Sequence, residues 1–232
     1  MITIGLIRIA ASFALCAIAV FLIRRLIHTS AEFDRKLLHF SVIAVLTAWL
    51  YAFDDWHLAE LSMAIFLVSV YAALLVIERY SLFPFLFKIS SERKHGELRK
   101  SLCAAGFMFM LLAAVCWGWQ GERSLALASI FAWGPGDAAA ALIGKKYGKR
   151  KIGKEKKKSL EGTAAMFTLS FLCVLIILLA YRSFPLSIAI PLAMVTAEVS
   201  AWVELEDRHG LDTFFCPVAA MTVLCLARLL FS

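Results

Sequence analysis

The chain has little charge and few helix breakers. Only 18% of its 232 residues are Asp, Glu, Lys or Arg, and proline occurs five times. No polar stretch is long enough to form a soluble catalytic domain, so any active site must be built from apolar segments and their short connections. The six cysteines, Cys16, Cys103, Cys116, Cys173, Cys216 and Cys225, stand singly within or beside apolar runs. With no CxxC and no Cys/His ligand spacing, neither a zinc site nor a disulfide framework is expected. A GxxxxGK[ST] phosphate loop is missing too, because Lys157-Lys158-Ser159 lacks the glycines it requires. No internal repeat is visible, which argues against an inverted-repeat transporter. The first apolar run has no basic residues before it, is long, and ends at Arg24-Arg25, so it reads as a retained helix rather than a cleaved signal.

Apolar residues make up 62% of the chain, and several runs reach the roughly 20 residues that cross about 30 Å of hydrocarbon. The expected fold class is therefore all-α: a polytopic integral membrane protein with about eight transmembrane helices in a single domain, residues 1–232. The spans read as Ile2–Ile23, Leu37–Phe53, Leu58–Ile77, Leu102–Trp119, Ser124–Ile143, Leu160–Tyr181, Leu186–Val203 and Thr213–Phe231. In that arrangement 20 of the 24 Lys and Arg fall in the loops at one end. Arg24, Arg25, Arg35 and Lys36 share the first of these loops, and Arg123 and Arg182 lie in the opposite ones. The positive-inside tendency makes the basic loops cytoplasmic and puts both termini on the other side. The net charge of +7 is explained by this asymmetry and by contact with anionic lipid, and no nucleic-acid partner is expected. A multi-pass protein of this kind suits a bacterial inner membrane. Trp49, Trp56, Trp117 and Trp119, near span ends, are expected in aromatic belts, and the phenylalanines around Pro84 in a short interfacial segment.

The densest chemistry lies between Gly134 and Thr163. Gly134, Pro135 and Gly136 are expected to break the fifth helix, a break tolerated at membrane depth where it lines a cavity. Asp137 follows, and an acid in hydrocarbon is a hypothesis about ion or substrate handling. Ala141, Gly144 and Gly148 share a helical face with it. That narrow face either admits a nucleotide or lipid headgroup to the backbone or lets helices pack closely. A Lys-rich loop, residues 145–159, comes next. It ends in Lys158-Ser159-Leu160-Glu161-Gly162-Thr163 at the mouth of a span, where a lysine, a hydroxyl and free amides can converge on phosphate. Asp137 is a candidate ligand for Mg²⁺ or another divalent cation, with Glu161 as a second metal position or as a carboxylate orienting a lysine. Glu161 also suits the positive end of a helix dipole.

These residues resemble the signature of the diacylglycerol and polyprenol kinase family, which includes dolichol and phytol kinases. The similarity rests on Gly136-Asp137, Gly144, Gly148, Lys151 and Lys158-Ser159-Leu160-Glu161-Gly162-Thr163. It extends to Arg35-Lys36-Leu37-Leu38-His39, to Gly96-Glu97, and to Asp212 with Pro217, preceded by Glu198 and Glu204. The second aspartate of the phytol-kinase form is absent, and Thr213 stands where the late element has asparagine. The resemblance implies phosphorylation of a lipid alcohol by a nucleoside triphosphate, commonly CTP, with a divalent metal. The acceptor would be phytol, farnesol, a polyprenol or dolichol-like alcohol, or diacylglycerol. Carried onto this chain, it gives Asp137, Lys158 and Glu161 as catalytic; for the base that takes the hydroxyl proton, His39 and Asp212 are candidates, followed by Glu97, Glu198 and Glu204. It gives Gly136, Gly144, Lys145, Gly148, Lys151, Ser159, Gly162, Thr163, Arg35, Lys36 and Glu97 as nucleotide-contacting. Two alternatives remain. One is a CTP-dependent phosphatidate cytidylyltransferase, whose Pro-Gly-His-Gly-Gly segment has no counterpart near Asp207-Arg208. The other is a non-catalytic lipid carrier or transporter.

Overall fold

The computed structural model describes residues 2–26, 31–80, 97–153, 158–207 and 211–231, with backbone only at 31, 32, 78, 97 and 98. Among these residues eight long helices run through the chain. They are α1 (Ile2–Leu26), α2 (Ala31–Leu50), α3 (Trp56–Tyr80), α4 (Glu97–Leu112), α5 (Arg123–Tyr147), α6 (Leu160–Ala180), α7 (Leu186–Glu206) and α8 (Asp212–Phe231). α4 continues into a π-helical stretch, Ala113–Trp119. The chain is a multi-pass membrane protein: seven of these segments are long and apolar enough to span a bilayer. The exception is α2, whose first turns carry Glu32, Asp34, Arg35 and Lys36. The segment around Pro84 lies outside the described residues, as do Gly96 and residues 154–157 of the Lys-rich loop.

Three sequence expectations change. First, α5 is not broken: it is a single helix of 25 residues with Pro135 inside it. Proline removes one ladder donor and crowds the Phe131 carbonyl four residues back, and side chains of the neighbouring helices donate to two other carbonyls of the same turn. Ser170 of α6 donates to the Ala132 carbonyl, and His39 of α2 donates to the Gly134 carbonyl at 3.1 Å. These bonds brace the turn around Pro135, and transmembrane helices tolerate proline where neighbouring helices accommodate it. Second, Arg35 and Lys36 are helical rather than in a loop, because α2 begins at Ala31. Third, Trp49 is a core residue, 2% exposed, with its indole N–H donated to Ser62 at 2.9 Å. Trp119 is exposed, and Trp117 lies under the Arg123 guanidinium, 3.7 Å from its ring centre.

Two short strands were not foreseen. β1 (Lys151–Ile152) and β2 (Lys158–Ser159) pair antiparallel, Lys151 opposite Ser159 and Ile152 opposite Lys158. The pairing folds the ends of the Lys-rich loop back onto the start of α6 and places Lys151 and Ser159 side by side, as directly opposed residues are.

The two ends of the bundle differ in charge. At one end Arg24 pairs with Asp34 at 2.9 Å, and Lys36 and Lys158 reach acids of α5 and α7. At the other lie four arginines, three of them held by their side chains. Arg8 donates to the Ala52 carbonyl and Arg123 to that of Asp54, Arg228 pairs with Glu122 at 3.5 Å, and Arg182 sits at a turn with φ of 53°. Ser124 and Ser183 join Glu122 through hydrogen bonds of 2.8 and 3.4 Å and bond each other at 2.8 Å. Nearby, Tyr51 and Tyr181 hydrogen-bond through their hydroxyls at 2.9 Å. Both burial and the adjoining phenol push the Tyr51 hydroxyl up from its ordinary pKa.

Candidate active site

The core of the site is a buried ion pair between two helices that are 101 residues apart in sequence. Lys36 Nζ lies 2.7 Å from Asp137 Oδ2. Lys36 is 4% exposed, and the Asp137 side chain is 15% exposed. An unpaired charge in that position is costly, so each residue accounts for the other's presence. His39, one turn further along α2, points its Nε2 at the Gly134 carbonyl and stands 3.6 Å from the same Asp137 oxygen. Its ring meets Trp133 edge-on, centroids 4.5 Å apart. The Arg-Lys-x-x-His spacing places Lys36 and His39 on one face of α2, because residues three apart are neighbours on a helix.

A second pair, part-buried, lies beside the first. Lys158 Nζ is 2.7 Å from Glu204 Oε1 and also donates to the Glu204 backbone carbonyl. Glu204 is 8% exposed. Asp137 acts electrostatically on Glu204 and on Asp212, and Lys36 acts on Asp212 as well. Three carboxylates from α5, α7 and α8 thus share one polar region with lysines from α2 and β2. Among the described residues Asp212 has no lysine of its own.

Of the two glutamates before Asp212, the structure selects Glu204. Glu198, six residues earlier on α7, is exposed. Six residues is more than one and a half turns, which rotates its side chain away from the face bearing Glu204. Sequence spacing alone gave no reason to prefer either.

Glu161 does not join this region. Its carboxylate accepts the Arg150 backbone N–H at 3.3 and 3.4 Å, which fastens the hairpin to the first turn of α6. The first turn of α6 directs Glu161 to the hairpin, whereas Glu204 and Asp212 share the polar region of Asp137. Among the described residues no group of three or more His, Cys, Asp or Glu is close enough to cage a metal by itself.

The glycines are also corrected. Gly136, Gly144, Gly148 and Gly162 do not form an open cradle; they are where α5 and α6 meet. A methyl group on Gly162 would stand 2.8 Å from the Ala140 carbonyl and 3.2 Å from Gly144 Cα, and one on Gly144 would stand 3.0 Å from Ser159 Oγ. Gly148 abuts Ser159, and Gly136 abuts Ser170 and Met166. Of the two expectations for this face, close helix packing describes its contacts, since glycines let backbones approach.

Ser159 is the N-cap of α6. It is buried, with its Oγ accepting from the Gly162 N–H at 3.1 Å. Thr163 Oγ1 is buried and has no hydrogen-bond partner among the described residues. Lys145, Lys151 and Arg35 are exposed. Glu97 begins α4, and its side chain lies outside the described residues.

Fold and site together define a polytopic membrane protein with a lysine- and carboxylate-lined polar site at one end of its helices. The chain is similar to the phytol kinase of Synechocystis sp., 28% identical over 210 residues that cover 87% of this chain and 82% of that protein. That similarity supports a phytol- and polyprenol-kinase-like family, in line with the motif resemblance. No family model matches the chain, and no solved structure does.

Proposed function

We propose that this chain is a membrane kinase that transfers the γ-phosphate of a nucleoside triphosphate, CTP in the first instance, to the hydroxyl of an isoprenoid alcohol such as phytol. At family level the similarity to a phytol kinase supports an enzyme that phosphorylates an isoprenoid alcohol. The observation that carries the reading is the pairing of Lys36 with Asp137 beside Lys158 with Glu204, four charged groups from four elements brought together in an otherwise apolar bundle.

Phosphoryl transfer needs alignment and neutralisation of phosphate charge more than covalent participation by the protein. Lys158, Lys151 and the α6 N-terminus, with Ser159 as its cap and the buried Thr163 hydroxyl beside it, present positive charge and donors to a triphosphate. The hard oxygen donors of Asp137, with Glu204 and Asp212 near it, suit Mg²⁺, which typically uses one or two carboxylates plus phosphate oxygens rather than an all-protein cage. A bound divalent cation would supply neutralisation of the transferring phosphoryl oxygens. Lys36 balances Asp137 when no ligand is bound. The alcohol enters sideways from the bilayer with its chain among the helices. Its oxygen bonds to the γ-phosphorus, the bond to the β–γ bridging oxygen breaks, and the nucleoside diphosphate leaves. Asp212, which pairs with no lysine among the described residues, takes the hydroxyl proton. The basic end of the bundle faces the cytoplasm and anionic lipid in this reading, which agrees with the positive-inside tendency.

The test is purified protein in lipid with γ-labelled CTP, ATP or UTP and, separately, α-labelled CTP. The acceptors are phytol, farnesol, a polyprenol, diacylglycerol and phosphatidate. Transfer of γ-label to an isoprenoid alcohol, lost in Asp137→Asn, is the expected result. Transfer of α-label to phosphatidate would make the protein a cytidylyltransferase, and no transfer from any donor would refute both enzymatic readings.

A further inference from the structure

His39 sits at the reaction region and is a natural candidate for the base that takes the proton of the lipid hydroxyl. Its hydrogen bond assigns it other work. A carbonyl oxygen can only accept, so the Nε2 that lies 3.1 Å from the Gly134 oxygen must carry the proton. That nitrogen is the one directed toward Asp137, 3.6 Å from its Oδ2. The imidazole therefore offers an N–H, not a lone pair, on the side where the chemistry lies.

The carbonyl it holds is not an ordinary one. Gly134 immediately precedes Pro135, the residue that cannot donate to the ladder of α5, and Asp137 follows three residues later, one turn on. Gly134 has no side chain of its own to fix this turn, and the space where its Cβ would lie is filled by Ile43, from the next turn of α2 after His39. The ring of His39 is itself set by Trp133, whose edge-on contact fixes its orientation. One face of α2 thus delivers three things to one turn of α5: Lys36 to the Asp137 carboxylate, His39 to the Gly134 carbonyl, and Ile43 to the Gly134 Cα.

We propose that His39 is a positioning residue: by donating Nε2–H to the Gly134 carbonyl it fixes the proline-weakened turn of α5, and so the place of the Asp137 carboxylate, and it takes no proton from the substrate. This assignment rests on the proposed kinase function for its activity readout, though not for its structural one.

Amide side chains separate the possibilities. The amide nitrogen of glutamine reaches about where imidazole Nε2 stands, whereas that of asparagine reaches about where Nδ1 stands. Neither amide accepts a proton at neutral pH. His39→Gln should therefore keep γ-phosphate transfer within about threefold of wild type, while His39→Asn and His39→Leu should each fall by about tenfold or more, mainly in kcat. A general base contributes about 10²- to 10⁴-fold, so a fall of that size in His39→Gln, matching His39→Asn, would overturn the proposal. Full activity in His39→Leu would overturn it in the other direction, as mere packing against Trp133. A second readout needs no substrate. Hydrogen exchange of the peptide covering residues 131–141 in lipid nanodiscs should be faster in His39→Leu and His39→Asn than in wild type and unchanged in His39→Gln. Equal exchange in all four proteins would refute the positioning role even if wild type transferred no phosphate, an outcome that would by itself sink only the kinase reading. If His39→Leu does not fold, the comparison of Gln with Asn carries the test.

Discussion

Removing Lys36 and Asp137 singly and together separates what their pair does for the fold from what it does for the reaction. At 2.7 Å and an effective dielectric constant near 20, their mutual attraction is about 6 kcal/mol. Desolvating the two charges costs several kcal/mol per ion, so the pair as a whole contributes little net stability. Breaking it is different. Lys36→Met leaves Asp137 largely buried with no cation on it, and Asp137→Asn leaves the ammonium of Lys36 buried, so each should destabilise by about 3–5 kcal/mol. For a chain of this size about 1 kcal/mol corresponds to roughly 2–4 °C, which puts each single variant about 6–20 °C below wild type. The double variant Lys36→Met/Asp137→Asn replaces both charges and should melt within about 8 °C of wild type, on a net difference of about 1–2 kcal/mol. All three variants should lose phosphate transfer, because restored stability does not restore a ligand for metal and phosphate. The assay is thermal unfolding in lipid nanodiscs by tryptophan fluorescence, with γ-phosphate transfer measured below the lowest midpoint. A double variant that melts as low as the two single effects added together would show that the pair is not a unit. Activity returning along with stability would refute the role given to Asp137.

Three further outcomes follow from particular contacts. Gly162→Ala should cost about 1–3 kcal/mol by overpacking, since the new methyl meets a backbone carbonyl that cannot rotate away; a midpoint unchanged in nanodiscs would mean that α5 and α6 part without cost. Glu204→Gln should reduce phosphate transfer by tenfold or more while Glu198→Gln stays within about twofold, because only Glu204 meets Lys158; equal effects in a transfer assay would contradict the orientation of α7. Glu122→Ala at the opposite end removes the acceptor shared by Arg228, Ser124 and Ser183 and should lower stability by about 1–3 kcal/mol with kcat unchanged at a permissive temperature; a selective loss of kcat with no change in melting would tie that end to the reaction.

The number and kind of elements follow from composition, because a hydrocarbon solvent leaves helices as the economical answer for runs of about 20 apolar residues. The candidate residues are likewise legible one by one: an acid such as Asp137 in an apolar span, and a Lys-Ser-x-Glu-Gly at a span mouth, stand out against their surroundings. What linear order does not hold is which of them meet. Lys36 and Asp137 are 101 residues apart, and only the packing of α2 against α5 makes them a pair. The same packing braces α5 around Pro135, since side chains of α2 and α6 donate to its Gly134 and Ala132 carbonyls, and a local reading of Gly-Pro-Gly contains neither. Glu161 and Glu204 show the point from both sides. Each is an acid near a membrane boundary, but helix phase and the β1–β2 hairpin turn one to a backbone amide and the other to Lys158. Sequence determined which groups are costly to bury; tertiary structure decided which costs cancel, because an ion pair depends on distances that no spacing along the chain fixes.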